Sequence, residues 1–299
     1  MSNMENNDHI KEYRSKNSPG FRFFNTALMI FVILVTLYPI WYITVTSLSS
    51  ENAVVSGKVS LVPISPTLKA YELAFTYPTF WIGYRNTIVY TLTGTLIGIC
   101  LNIMCAYPLS RKRLWKRSLL TKFFVFTMFF NGGIIPNYVL INSLGWIDTI
   151  WAVVVPPAVT VWHLMIVRTF FQTIPETLEE AAQIDGMNSF QILLRIILPL
   201  SKPILAVIAL FLAVFQWNNW FGPLIYLNST NKYPVTLILR NILDGARLAA
   251  EEGRDIDAIP PAETLKASAI IIVTFPILML YPFLQRYFVK GMLIGSIKG

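Results

Sequence analysis

Three observations predict an all-α membrane protein of six transmembrane helices with both termini cytoplasmic. They are a charge deficit, apolar runs of bilayer length, and basic residues gathered at alternate ends of those runs. Of 299 residues, 55% are hydrophobic and only 13% are charged, whereas a soluble domain carries about a quarter. Mean hydropathy is +0.56. A spanning helix needs about 20 mostly apolar residues to cross about 30 Å of hydrocarbon. Six stretches have that length: 27–48, 86–109, 123–144, 149–167, 203–221 and 267–285.

Orientation follows from lysine and arginine, which accumulate on the cytoplasmic side. With the N-terminus inside, the inner segments hold Lys11, Arg14, Lys16 and Arg22, then Arg111, Lys112, Arg113, Lys116, Arg117 and Lys122. Arg168, Arg195 and Lys202 follow, then Arg286, Lys290 and Lys298, so most of the 24 basic residues lie inside. The outer segments carry acids, including Glu251, Glu252, Asp255 and Asp257. The net charge of +8 is thereby explained by topology rather than by nucleic acid. The organisation predicted is a cytoplasmic segment 1–22, a transmembrane domain 23–288 and a cytoplasmic tail 289–299. Within the domain lie a cytoplasmic loop 172–202 and an outer loop 222–264, which contains an amphipathic helix near 235–248.

The remaining residue types exclude several chemistries. Cys100 and Cys105 fall inside one apolar run and supply neither a disulfide framework nor a zinc site. No phosphate-binding Gly-x-x-x-x-Gly-Lys-Ser/Thr loop occurs, so the chain is expected not to hydrolyse ATP and not to be an enzyme. His163 is a lone histidine in the fourth run, read as a packed residue. Pro136, after Asn131-Gly132-Gly133, and the pair Pro156-Pro157 are expected to kink the third and fourth spans.

The loop 172–202 is the charged interruption that most resembles a docking device. Thr173 is expected to cap a first short helix with Pro175 in its first turn. Asp185-Gly186 breaks that helix. Asn188 or Ser189 can cap a second one over 190–198, which Pro199 ends. Ala181 and Ala182 allow close approach of a partner backbone, and Glu180 offers a carboxylate to a partner's Arg or Lys. The same features fit an ordinary amphipathic surface loop.

Glu180-Ala181-Ala182, Asp185-Gly186, Leu198-Pro199 and Pro203 resemble the EAA signature of permease subunits of bacterial ABC importers. The resemblance implies the type I importer permease fold and a coupling helix seated in a separate nucleotide-binding subunit. It implies Glu180 as the contact and Gly186 as the turn. Asn86-Thr87, the run 106–111, Trp217-Asn218 and Pro223-Leu224 are similar to the carbohydrate-uptake branch, that of the maltose permease's shorter subunit. The tail 287–299 is similar to those of aldouronate-type and other complex-saccharide permeases. The partners so implied are a second permease subunit, two ATPase subunits that use ATP and magnesium, an extracytoplasmic sugar-binding protein and the bilayer of the bacterial cytoplasmic membrane. This chain is expected to bind no cofactor itself.

Sugars are held by aromatic faces and amides. Asn131, Gln216, Trp217, Asn218 and Trp220 are the substrate-pathway candidates, with Asn137 beside them, and Trp217 and Trp220 are expected to share a helix face. Interface anchoring and helix–helix bonding would use the same residue types. The alternative function is a stand-alone secondary transporter, which needs ionisable groups at mid-membrane. The spans hold none beyond His163.

Overall fold

The computed structural model describes residues 19–76, 78–251 and 263–279. All regular structure among them is helical. The tail 289–299, most of segment 1–22, and Glu252, Asp255 and Asp257 lie outside the described residues. So do Lys11, Arg14, Lys16, Arg286, Lys290 and Lys298 from the charge tally.

Contacts divide the chain into two units, Met1–Leu73 with Ile259–Ile271, and Ala74–Ala258 with Ile272–Gly299. The first is built on helix α1 (Pro19–Ser47), whose apolar side chains are exposed along most of its length, as a lipid-facing helix requires. Its Ser47 end packs Val45 against Ala53 of helix α2 (Glu51–Val55) and against Val59. Trp41 donates to the Leu61 carbonyl at 2.9 Å, and Ser47 meets the Tyr71 hydroxyl at 2.7 Å in helix α3 (Lys69–Thr76).

The second unit is organised around α4 (Pro78–Ser110), a 33-residue helix. It is followed by α5 (Arg117–Phe129), α6 (Ile134–Ser143), α7 (Ile150–Val154) and α8 (Val161–Thr173). Next come two short cap-to-cap helices, α9 (Glu176–Ile184) and α10 (Ser189–Leu200). The unit continues with α11 (Lys202–Asn218), α12 (Phe221–Tyr226) and the amphipathic α13 (Val235–Glu251). A helix α14 covers 263–279. Helices α8, α11 and α13 all pack on α4. Close packing with α11 depends on the absence of a side chain at Gly98. A Cβ there would lie 2.8 Å from the Ala158 carbonyl oxygen and 2.9 Å from Leu212.

Several expected elements are corrected. The third span is not one kinked helix: α5 and α6 meet at 113°. The break is Phe130 to Gly133, where the Asn131 side chain accepts the Gly133 N–H at 2.8 Å and Gly133 has φ +87°. Pro136 is not the breaker, since it sits in the first turn of α6, where no donor is needed. The fourth span is interrupted rather than kinked, with Pro156 and Pro157 in the turn between α7 and α8. Among the described residues, two helices are each long and apolar enough to cross a bilayer, α1 and α4. Two bent pairs, α5 with α6 and α10 with α11, raise that to four.

Candidate functional site

The Thr173–Pro203 segment folds as two short helices, with different boundaries from those expected. Thr173 does not cap the first one; it is the last residue of α8. The cause is Pro175, which disfavours helical backbone at Ile174, and Ile174 is extended at φ −79°, ψ 121°. Pro175 is then the N-cap of α9. Glu176 and Glu179 lie in its first turn, the positive end of the helix.

Helix α9 ends in a Schellman closure. The Gly186 N–H donates to the Gln183 carbonyl at 3.0 Å, and the Met187 N–H to Ala182 at 2.9 Å. Gly186 has φ +81°, a left-handed conformation that L side chains resist. Asn188 is the cap of α10 in a reciprocal box. Its side chain accepts from the Gln191 N–H at 2.9 Å, and the Gln191 side chain accepts from the Asn188 N–H at 3.0 Å. Pro199 does not end α10. The helix widens to a π turn over Leu193–Ile197, with the Leu198 N–H reaching the Leu193 carbonyl. Such a bulge absorbs the donor that Pro199 lacks. The chain then bends by 83° at Ser201 into α11.

Helix α9 is inverted relative to an ordinary surface helix. Its acidic Glu179 is buried at 3% exposure, while apolar Leu178 and Ile184 are 43% and 87% exposed. Glu180, Ala181, Asp185 and Gly186 face outward. Ala182 does not join them. It is buried in the main core with Ala106, Leu164, Phe171, Ile192 and Ile197, so the expected small-residue docking face reduces to Ala181. Leu198 packs partly against the same core, and Pro199 is exposed.

What sequence reasoning missed is how α9 is held. Arg111 Nε lies 2.6 Å from Glu179 Oε1, with both side chains almost fully buried. The approach is off hydrogen-bond alignment, so the attraction is coulombic. Arg111 Nη1 donates to the Phe171 carbonyl at 3.0 Å, at the end of α8. The guanidinium also sits 5.4 Å from the Tyr107 ring centre. Half-exposed Arg113 reaches the other carboxylate oxygen at 3.4 Å. Arg168 of α8 adds a donor to the Leu109 carbonyl at 3.0 Å. Arg111 belongs to the basic cluster 111–117, and its own charge is buried against Glu179.

The pathway candidates separate into two groups. A cavity of about 620 Å³ is lined by Asn137, Pro156, Pro157, Phe215, Asn218, Asn219, Trp220 and Tyr226, among others. Asn131 and Asn137 line an adjoining cavity of about 450 Å³. Gln216 and Trp217 line neither and are buried at 4% and 8% exposure. Gln216 covers Gly94 of α4, and Trp217 donates its indole N–H to the Val273 carbonyl at 3.1 Å. Trp217 and Trp220 do not share a helix face, because α11 stops at Asn218 and Trp220 is the N-cap of the next helix. Asn219, beside Asn218, lines the cavity as well. Trp220 has the Arg240 guanidinium 3.9 Å from its ring centre. His163 is packed: its Nδ1 lies 2.7 Å from the Thr160 hydroxyl and its ring stacks on Phe211.

The opposite end of α4 holds a second set of anchors. Asn86 donates to the Asn231 and Tyr233 carbonyls at 2.8 and 3.1 Å, and Tyr90 to that of Lys232 at 2.8 Å. Thr87 accepts the Val235 N–H at 2.8 Å. Nearby, Asp148 (φ +59°) accepts from the Asn228 and Ser229 N–H groups at 3.0 Å each and pairs with Lys232 at 2.6 Å. The Lys232 ammonium, with the Ser229 hydroxyl and backbone, holds the Asp148 carboxyl well below the usual carboxylate range.

Residues 72–294 match the family of binding-protein-dependent transport system inner membrane components. The chain belongs to this family. It is therefore a permease subunit of a binding-protein-dependent ABC importer, a multi-pass protein of the bacterial inner membrane, and not an enzyme. The permease is 39% identical to Protein LplC of Bacillus subtilis (strain 168), over 95% of this chain and 97% of that one. It is 37% identical to the polygalacturonan/rhamnogalacturonan transport system permease protein YtcP of the same organism, over 91% and 96%. Among solved structures it resembles a chain of a bacterial ABC transporter involved in the import of the acidic polysaccharide alginate. The TM-score is 0.80 with 32% identity, covering 91% of this chain and 98% of that one.

Proposed function

We propose that this permease carries an oligosaccharide, and that α9 is the face by which it docks a separate ATPase. The observation that carries the docking reading is the inversion of α9. A helix that buries Glu179 while exposing Leu178, Ala181 and Ile184 leaves apolar surface to be covered by another protein. Glu180 beside that surface supplies a charge to fix register. In this reading α9 lies in the cytoplasm, both termini are cytoplasmic, and six spans cross the membrane. ATP and magnesium are used by two ATPase subunits, a second permease subunit completes the pathway, and an extracytoplasmic binding protein delivers the cargo. The C-terminal tail belongs to the cytoplasmic side.

The substrate reading rests on the cavity and the relatives. Asn137, Asn218 and Asn219 offer amides and Trp220 an aromatic edge, in a wall whose described residues include no Asp, Glu, Lys, Arg or His. That lining suits hydroxyl-rich sugar rings and offers no ionisable relay for a gradient-driven carrier. One relative is named for polygalacturonan and rhamnogalacturonan and the similar solved structure for the acidic polysaccharide alginate, so uronic-acid oligomers are the first substrates to try.

The test is reconstitution of the permease with its partner permease, ATPase and binding protein in liposomes. ATP-dependent uptake of labelled trigalacturonate is expected, against none with a nucleotide-free lumen. Glu180→Arg is expected to abolish co-purification of the ATPase. Retention of the ATPase by Glu180→Arg would overturn the docking reading. Uptake by this chain alone on an ion gradient would overturn the importer mechanism.

A further inference from the structure

We propose that Arg111 and Glu179 form a strut that makes α9 move as one body with the end of α4; this rests on the docking reading of α9. Three segments converge on one guanidinium. Arg111 follows α4 directly, its Nη1 grips the Phe171 carbonyl of α8, and its Nε faces the Glu179 carboxylate of α9. Arg168 closes the triangle from α8 back to the Leu109 carbonyl. The pair is almost fully buried and receives Arg113 on its second oxygen.

Such an arrangement is a poor choice for stability alone. Two charges removed from water cost more than an apolar pair of similar volume. What buried charge supplies is register: the carboxylate is compensated by the guanidinium in one position and uncompensated one turn away. The rest of the α9 attachment is less directive. Within α9, Ala182 offers a single methyl to the core; on its flanks Ile174 and Met187 add apolar packing, which is non-directional, beside Pro175 and the Gly186 turn. Force applied to the exposed Glu180 edge therefore reaches α4 and α8 chiefly through the neighbouring residue, Glu179. Both residues are positioning groups; neither lies on a cavity wall of the proposed substrate path.

The strut predicts a distance that does not change. Spin labels at Lys112→Cys and Gln183→Cys, both exposed positions, report it in the assembled transporter after Cys100→Ala and Cys105→Ala. Pulsed electron paramagnetic resonance is expected to give the same narrow distance distribution without nucleotide and after trapping with ATP, magnesium and vanadate. In Glu179→Gln the distribution is expected to broaden and to shift on trapping. A nucleotide-dependent distance in the otherwise unmodified chain overturns the proposal, as does a Glu179→Gln distribution that stays narrow and fixed. Where Glu179→Gln fails to accumulate, the apolar pair Arg111→Met with Glu179→Leu decides: a distribution that broadens and shifts on trapping supports the strut and a narrow, fixed one overturns it. Failure of the docking reading is distinguishable, because it shows as ATPase still bound to Glu180→Arg while the label distance stays narrow.

Discussion

The two ends of α4 hold their neighbours by different chemistry. At the Pro78 end, Asn86, Thr87 and Tyr90 bond to backbone atoms of residues 231–235, and every contact is between neutral groups. At the Ser110 end the grip is a buried ion pair between two side chains. A neutral side chain bonded to backbone places a segment whatever that segment's side chains are. Only one partner is then vulnerable to substitution. An ion pair between side chains makes both partners indispensable, because loss of either leaves the other buried and uncompensated. The first kind of anchor suits a fixed scaffold. The second suits a joint whose register has to survive a load.

The sharpest way to break the contrast is at the ion pair. Arg111→Ala should cost about 3–5 kcal/mol, read as a lower thermal midpoint of the detergent-solubilised transporter. Replacing both residues with apolar ones, Arg111→Met with Glu179→Leu, should recover most of that loss. If the single and double variants melt alike, the pair is not the uncompensated-charge joint described. Next comes the α4–α11 seam that lies between the two ends. Gly98→Val should cost about 1–3 kcal/mol through overpacking against Ala158 and Leu212, seen as reduced yield and midpoint.

A smaller effect is expected at the neutral end. Asn86→Ala leaves the Asn231 and Tyr233 carbonyls without that donor, a loss of about 1–3 kcal/mol. Faster hydrogen exchange should be confined to residues near 231–235, with the label distance at α9 untouched. Gly186→Ala should cost about 1–2 kcal/mol from the left-handed backbone, measured as a lower midpoint without loss of the Arg111 pair.

The mildest test is acid. The Asp148 carboxyl titrates below its unfolded value, so its contribution is present above about pH 4 and is lost as pH falls through the lower folded value. Protection of the Asn228 and Ser229 amides should therefore persist at pH 4 and fade only in stronger acid. Asp148→Asn should remove the pH dependence.

The sequence made some of this legible and not the rest, for physical reasons. The apolar runs announced helices because hydrocarbon demands length and apolarity, and each run is represented by helix among the described residues. Their interruptions were misplaced where a glycine break at 131–133 competed with Pro136. The turn at Gly186 and the cap at Asn188 were readable because both act on backbone within a few residues. The burial of Glu179 beside an exposed Glu180 was not. Adjacent helical positions point about 100° apart, and which one turns inward depends on Arg111, far away in the chain. Gln216 and Trp217 were misjudged for a related reason. A tryptophan and an amide look alike whether they face a sugar or a helix, and only the packing on α4 and the Val273 carbonyl distinguishes them.

The buried guanidinium has a consequence for anyone who exchanges parts between permeases. The portable unit at this end of the molecule is discontinuous. A chimaera that transplants the segment from Ile174 to Ser201 alone carries a carboxylate into a host that lacks its counter-ion. Arg111 must travel with it, although four helices, α5 to α8, lie between them in the chain. Loop grafts that ignore this should yield hybrids that look complete in sequence and fail in assembly.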